Sequence, residues 1–133
     1  MLHGDNQYNP KYISDMLKLI SKKNYDAIVG SRMKKKENAL KGNMPIYKYL
    51  GNILLSKYFN VFFGTKFTDC HTGYWLYDLS SIKKKNFDRC DNNFCFDLDL
   101  RLQLVNKKKN IKEIAINTFY GTERSSFHII YAI

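Results

Sequence analysis

The sequence is short of several things, and each shortage removes a class of protein. It has three cysteines, Cys70, Cys90 and Cys95, and no Cys-x-x-Cys pair. An odd number without that spacing argues against a disulfide framework or a zinc knuckle, and suits a reducing, cytoplasmic setting. No Gly-x-Gly-x-x-Gly or Walker-type loop occurs, which counts against a dinucleotide enzyme or a P-loop NTPase. No apolar run reaches the length needed to span a bilayer. Acidic side chains are scarce, 12 against 22 Lys and Arg, for a formal charge of +10. Such a surplus suggests an anionic partner: nucleic acid, a nucleotide diphosphate or an acidic membrane surface. Much of it lies in short runs, Lys34-Lys35-Lys36, Lys83-Lys84-Lys85 and Lys107-Lys108-Lys109, which suit a solvated face equally well.

What is present is a globular composition rich in aromatics, with ten Tyr and nine Phe in 133 residues. That length suits one domain, 1–133, with a real core. The chain opens on Leu2-His3-Gly4-Asp5-Asn6-Gln7-Tyr8-Asn9-Pro10. This reads as a strand end, a carboxylate on a turn, and Asn9 and Pro10 suited to begin a helix. Ile13, Met16, Leu17 and Ile20 recur at helical spacing, so a helix is predicted over 10 to 22. Ala27-Ile28-Val29 is a short apolar strand that stops at Gly30-Ser31-Arg32. Strand, helix, strand is the unit of a parallel α/β sheet, and open α/β sheets place ligands beyond the carboxyl ends of their strands.

Residues 33 to 43, polar and Lys-rich, predict a loop or lid. A helix is predicted over 45 to 63, ended by Gly64-Thr65. Its aromatic and aliphatic content predicts a well-buried core helix. The alternative is a helix resting on a membrane through its aromatics, Lys48 and Lys57. Asp69 to Gly73 form a polar turn, and Tyr74 to Tyr77 a short strand. Asp78 and Ser80 are candidate caps for a brief helix over 79 to 85. A loop is expected at Asp91-Asn92-Asn93. A helix is predicted over 94 to 107, with Leu98, Leu102 and Val105 as one row and Leu100 and Leu104 beside it. Ile111 to Phe119 reads as a last strand, 121 to 126 as a polar loop and 127 to 133 as the start of another helix.

Several residues have the chemistry of a site. Asp5 at a strand end can hold a divalent cation on a diphosphate, and His3 and Gln7 at spacing two point the same way on an extended chain. Arg32 directly follows a strand, and its guanidinium fork suits a phosphate. Asp69 can orient an acceptor or act as a base. Each also has a plain structural role open to it: Asp5 and Asp69 as turn residues, Arg32 as a surface residue. Asp97 and Asp99 suit the first turn of a helix without any further role.

In order and spacing these segments together resemble the family 2 glycosyltransferases, in particular the dolichyl-phosphate mannose synthases and polyprenyl-phosphate sugar transferases. His3-Gly4-Asp5-Asn6-Gln7-Tyr8-x-Pro10 is similar to their Asp-x-Asp-Gly-Gln-x-x-Pro. Tyr25-Asp26-Ala27-Ile28-Val29-Gly30-Ser31-Arg32 is similar to their Tyr-Asp-x-x-x-Gly-Ser-Arg. Thr68-Asp69-x-x-Thr72-Gly73-Tyr74 is similar to their Thr-Asp-x-x-Ser/Thr-Gly-Phe/Tyr turn, and Phe96-Asp97-Leu98-Asp99 to a later acidic helix start.

The resemblance implies an α/β, Rossmann-like nucleotide-sugar sandwich of the GT-A type. It implies inverting sugar transfer from a UDP- or GDP-sugar to a polyprenyl or dolichyl phosphate, with Mg²⁺ or Mn²⁺ on the diphosphate. It puts Asp5, Gln7 and His3 at the metal, and Asn6, Ser31 and Arg32 at the donor diphosphate. It makes Asp69 catalytic and places Thr72, Gly73, Arg124 and Ser125 toward the acceptor. His3 stands where the family has an Asp. The family also places a nucleotide-binding half before the first motif, so the chain is expected to be the carboxyl-terminal part of a catalytic domain, complemented by that half and peripheral at the cytosolic membrane face. The other classes kept open are a basic nucleic-acid-binding module and a non-catalytic remnant of the same fold.

Overall fold

A computed structural model describes residues 8–82, 84–88, 90 and 96–120. The first helix, α1, spans Tyr12–Lys23. It starts two residues later than predicted. Asn9 accepts a hydrogen bond from the Lys11 backbone N–H through its side chain (3.0 Å), so it shapes the turn before the helix. Asn24, with φ +50°, ends it in the left-handed conformation. The strand β1, Ala27–Ser31, follows and is buried throughout.

The strands β2, Trp75–Tyr77, and β3, Ile111–Ala115, flank β1 in a three-stranded sheet of order β2-β1-β3. β1 and β3 run parallel, with Ser31 beside Ala115. β2 runs antiparallel, with Ala27 opposite Tyr77. The sheet is therefore mixed, where strand and helix alternation alone had suggested a parallel one.

Alternation along β1 separates two cores. Ile28 faces α1 with Met16, Tyr8, Tyr74 and Ile116. Ala27 and Val29 face the other way, toward Trp75 and Ile82 and toward Leu100 and Leu104 of α5, Phe96–Asn106. Helices thus cover both faces, an α/β layering. In α5 the pair Leu100 and Leu104 is buried and the row Leu98, Leu102 and Val105 is only half-buried, because the sheet lies on the 100/104 side.

Three further corrections concern the long polar stretches. Residues 33 to 43 are not a plain loop: they contain a short helix, α2, Lys36–Lys41. Ala39 is its buried anchor, packed with Met33 and Met44. The long helix α3, Ile46–Phe63, is not a core helix, since Ser56 is its one buried residue. The last strand stops at Ala115 and not at Phe119. Asp78 does cap a 3-10 turn at Leu79–Ser81, its carboxylate accepting from the Ser80 N–H. A short helix, α4, spans Lys84–Phe87. The predicted loop at 91 to 93 and the segments 121 to 126 and 127 to 133 lie outside the described residues. Among the described residues no helix is long and apolar enough to cross a membrane.

Two details tie the sheet together. Gly30 has no room for a side chain: a Cβ there would sit 2.6 Å from Tyr74 and 2.9 Å from Ile116. Asp26 fastens the start of the sheet. Its carboxylate accepts from Ser81 Oγ (2.5 Å), the Asn110 N–H (2.7 Å) and Lys109 Nζ (3.1 Å). Burial alone would raise its pKa. The bonds from Ser81 and Asn110 and the Lys109 charge outweigh that and hold the carboxyl below its usual 3.8.

Gly30→Ala is expected to lower stability by about 1–3 kcal/mol through overpacking, read as a reduced urea midpoint at unchanged slope. Asp26→Asn is expected to cost about 2 kcal/mol at neutral pH, the worth of hydrogen bonds to a charged group. A depressed carboxyl stabilises the fold above its unfolded pKa and loses that effect as pH falls through its folded value. The gap between wild type and Asp26→Asn should therefore close below about pH 3.8. A gap independent of pH would show that the carboxylate charge contributes nothing.

Candidate functional site

At the carboxyl end of β1 the chain leaves the sheet through Ser31 and Arg32, both buried. Ser31 turns it: its Oγ accepts from the N–H groups of Met33 (3.1 Å) and Lys34 (2.9 Å) and shares a 2.6 Å hydrogen bond with Thr68 Oγ1. This leaves Arg32 pointing at the turn that follows α3. Asp69 waits there, wholly enclosed at 0 % exposure. Arg32 Nε donates to Asp69 Oδ2 (2.7 Å) and Nη2 to Oδ1 (2.8 Å), a fork-on-carboxylate pair. The Arg32 backbone N–H (3.2 Å) and the His71 N–H (3.3 Å) complete the carboxylate's shell. Arg32 Nη1 donates to the Tyr120 hydroxyl (2.8 Å).

Two residues singled out separately in the sequence are thus partners, 37 positions apart. Each takes up what the other was expected to offer a ligand. Burial alone would lower the Arg32 pKa, but the hydrogen bonds and charge of Asp69 more than offset it and raise it. Arg32 stays charged at any working pH. Burial also pushes up the Tyr120 hydroxyl and the Cys70 thiol, so both stay protonated near neutrality. His71 is exposed as a residue, but partial desolvation of its ring and the charge of Arg101 lower its pKa from 6.5.

The turn is held from several sides. Glu113 of β3 accepts from the N–H groups of Thr68 (2.9 Å) and Asp69 (3.2 Å). Thr72 is buried, its hydroxyl accepting from the Tyr74 N–H (3.3 Å) and its carbonyl from Trp75 Nε1 (2.9 Å). The Gly73 N–H donates to the Tyr8 hydroxyl (3.3 Å), and the Tyr8 ring stacks on Tyr74 at 5.4 Å. Tyr8 belongs to the opening motif, and it also bridges to Thr118.

From α5, Arg101 donates to the Cys70 carbonyl and to the Asp97 carboxylate, with its guanidinium 5.5 Å from the centre of the Trp75 ring. Asp97 therefore does more than face a helix dipole: it anchors the arginine that grips the turn.

Of the sequence-derived site residues, the structure joins Ser31, Arg32, Asp69, Thr72 and Gly73 in one buried cluster at the carboxyl end of the parallel strands. His3, Asp5, Asn6, Gln7, Arg124 and Ser125 lie outside the described residues. Among the described residues no three His, Cys, Asp or Glu side chains converge as metal ligands. Sequence reasoning missed Tyr8 as a contact, Glu113, Arg101 and Tyr120. Two had a local signal: Glu113 is the one carboxylate in the strand β3, and Arg101 follows Asp97 at i+4 spacing. Tyr120 had none.

The chain is similar to two archaeal proteins. One is an uncharacterized protein of Methanocaldococcus jannaschii, 29% identical over 88% of this chain. The other is a low-salt glycan biosynthesis hexosyltransferase of Haloferax volcanii, 33% identical over 90% of this chain. The chain spans 47% of the length of the first and 28% of the second. No family model and no solved structure matches it.

Removing one partner of the buried pair leaves the other uncompensated. Asp69→Leu or Arg32→Met is expected to cost about 3–5 kcal/mol. The double variant Arg32→Met, Asp69→Leu should lose clearly less than the two singles added. Chemical denaturation of the four proteins measures this, and additive losses would show that the pair is not coupled.

Proposed function

We propose that this chain carries part of a glycosyl-transfer site, in which a hexose passes from a UDP- or GDP-sugar to a lipid phosphate with inversion. The observation that carries the proposal is the Arg32–Asp69 pair. It locks the Gly30-Ser31-Arg32 and Thr68–Tyr74 segments against each other where an α/β sheet receives its ligands. Both segments belong to the ordered set that resembles family 2 glycosyltransferases. Similarity to a hexosyltransferase supports the same class of chemistry.

In this reaction an acceptor oxygen attacks the anomeric carbon, the bond from that carbon to the diphosphate breaks, and the nucleoside diphosphate leaves. If the acceptor is a phosphate, its oxygen is already anionic and no proton has to be removed. An enclosed Asp69 with four hydrogen-bond donors suits that chemistry. Its role here is to position Arg32 and fix its charge, and not to accept a proton. Arg32 keeps one N–H on each terminal nitrogen beyond those bonded to Asp69 and Tyr120, and these are the donors proposed to meet the leaving diphosphate. The metal, Mg²⁺ or Mn²⁺, is assigned to Asp5 with His3 and Gln7, and Asn6 to the donor. Arg124 and Ser125 are assigned to the acceptor.

The test is transfer of labelled hexose from UDP- and GDP-hexoses to a polyprenyl phosphate by this chain together with the nucleotide-binding half that the resemblance places before it. Arg32→Lys keeps the charge and loses the fork. It is expected to lower transfer about 10²-fold through misplacement of the donors. Absence of transfer and of nucleotide-sugar binding, with or without Mn²⁺, would overturn the proposal.

A further inference from the structure

Tyr120 reaches the candidate site from beyond the end of β3 and is held there at three points. Its backbone N–H donates to the Gly42 carbonyl (2.8 Å). Its ring packs against the buried cluster of Met33, Ala39 and Met44. Its hydroxyl oxygen accepts from Arg32 Nη1 (2.8 Å).

Accepting that bond leaves the proton of the phenol unspent. A tyrosine hydroxyl can donate as well as accept, and a guanidinium has no lone pair to receive it. The carboxylate of the site is already filled. Asp69 Oδ2 receives Arg32 Nε and the Arg32 backbone N–H, and Oδ1 receives Arg32 Nη2 and the His71 N–H. Among the described residues the Tyr120 O–H is bonded to no acceptor. Burial holds the proton in place, since desolvation outweighs the pull of the Arg32 charge and raises the hydroxyl above its usual 10. Accepting from a cation also polarises the O–H bond and strengthens it as a donor.

We propose that the Tyr120 hydroxyl is a third donor of the anion site and bonds the phosphate oxygens that Arg32 meets. The inference rests on the reading of Arg32 as a donor to the diphosphate, and adds a residue that sequence reasoning missed. The geometry suits one ligand for both residues. The Tyr120 oxygen and Arg32 Nη1 lie 2.8 Å apart, a spacing that one phosphate oxygen, or two oxygens of one phosphate group, can bridge. The three anchors leave the phenol little freedom, so its donor is oriented before the ligand arrives.

Pyrophosphate binding to the full chain is measured by calorimetry without added metal, so that only the chain's own donors are read. The unaltered chain is expected to bind, and Arg32→Lys to bind more weakly. Tyr120→Phe should weaken binding about ten-fold, the worth of one hydrogen bond to a charged group. Phe also removes the acceptor of Arg32 Nη1, so a second variant separates the two roles. Tyr120→3-fluorotyrosine keeps the ring and the hydroxyl, but its O–H is a stronger donor and its oxygen a weaker acceptor. At slightly acidic pH, where the phenol stays protonated, this variant should bind pyrophosphate more tightly than the unaltered chain. Equal or weaker binding would show that the hydroxyl only holds Arg32, and would overturn the inference. So would a Tyr120→Phe chain that binds as well as the unaltered one. If pyrophosphate does not bind the unaltered chain, or binds it and Arg32→Lys alike, the reading of Arg32 falls and the inference falls with it.

Discussion

The pairing of Arg32 with Asp69 is the constraint on which the rest depends. It is a contact between the end of a central strand and a turn that arrives only after an 18-residue helix. A guanidinium and a carboxylate taken out of water are tolerated only when each satisfies the other and their remaining hydrogen-bonding groups find partners. Here Tyr120, the Arg32 and His71 N–H groups, and Glu113 beneath the turn meet that condition. The position of the turn then sets where Thr72, Gly73 and Tyr74 go, and through the Tyr8–Tyr74 stack, where the chain enters α1.

The same geometry changes how the site is understood. Arg32 and Asp69 had each looked like a group offered to a ligand. Joined, they form a fixed dipole whose carboxylate end is sealed and whose guanidinium end keeps a few free donors. A site of this kind supplies orientation and positive charge more readily than a base. That is the behaviour required by the transfer proposed above, in which a diphosphate departs and the attacking oxygen carries its own charge.

Much of the fold was legible because it is local. α1, β1 and β2 follow from apolar spacing, the end of α3 from Gly64 at φ +62°, and the 3-10 turn from Asp78. α2 was hidden because its anchors, Met33, Ala39 and Met44, are thinly spread among lysines. The burial of α3 was misjudged because hydrophobicity does not say which side is covered. The polar side made by Asn52, Ser56 and Asn60 was the available signal. In the site, Ser31, Arg32, Asp69, Thr72 and Gly73 could be picked out one by one, but their pairing could not. Contacts such as Arg32 to Asp69, Asp69 to Glu113 and Arg32 to Tyr120 join distant positions and leave no local periodicity. Arg101, tied to Asp97 four residues back, was the exception that spacing could have disclosed.

The most direct measurement of the central claim is the exchange of the Arg32 Nε proton with solvent, followed by nitrogen-15 NMR. An enclosed Nε–H donating to a buried carboxylate should give a resolved resonance that exchanges far more slowly than those of exposed arginines. It should be lost to fast exchange in Asp69→Asn. An Arg32 Nε–H that exchanges as fast as a surface arginine in the unaltered protein would contradict the account, because the pair would then be open to water and could not hold the turn in place.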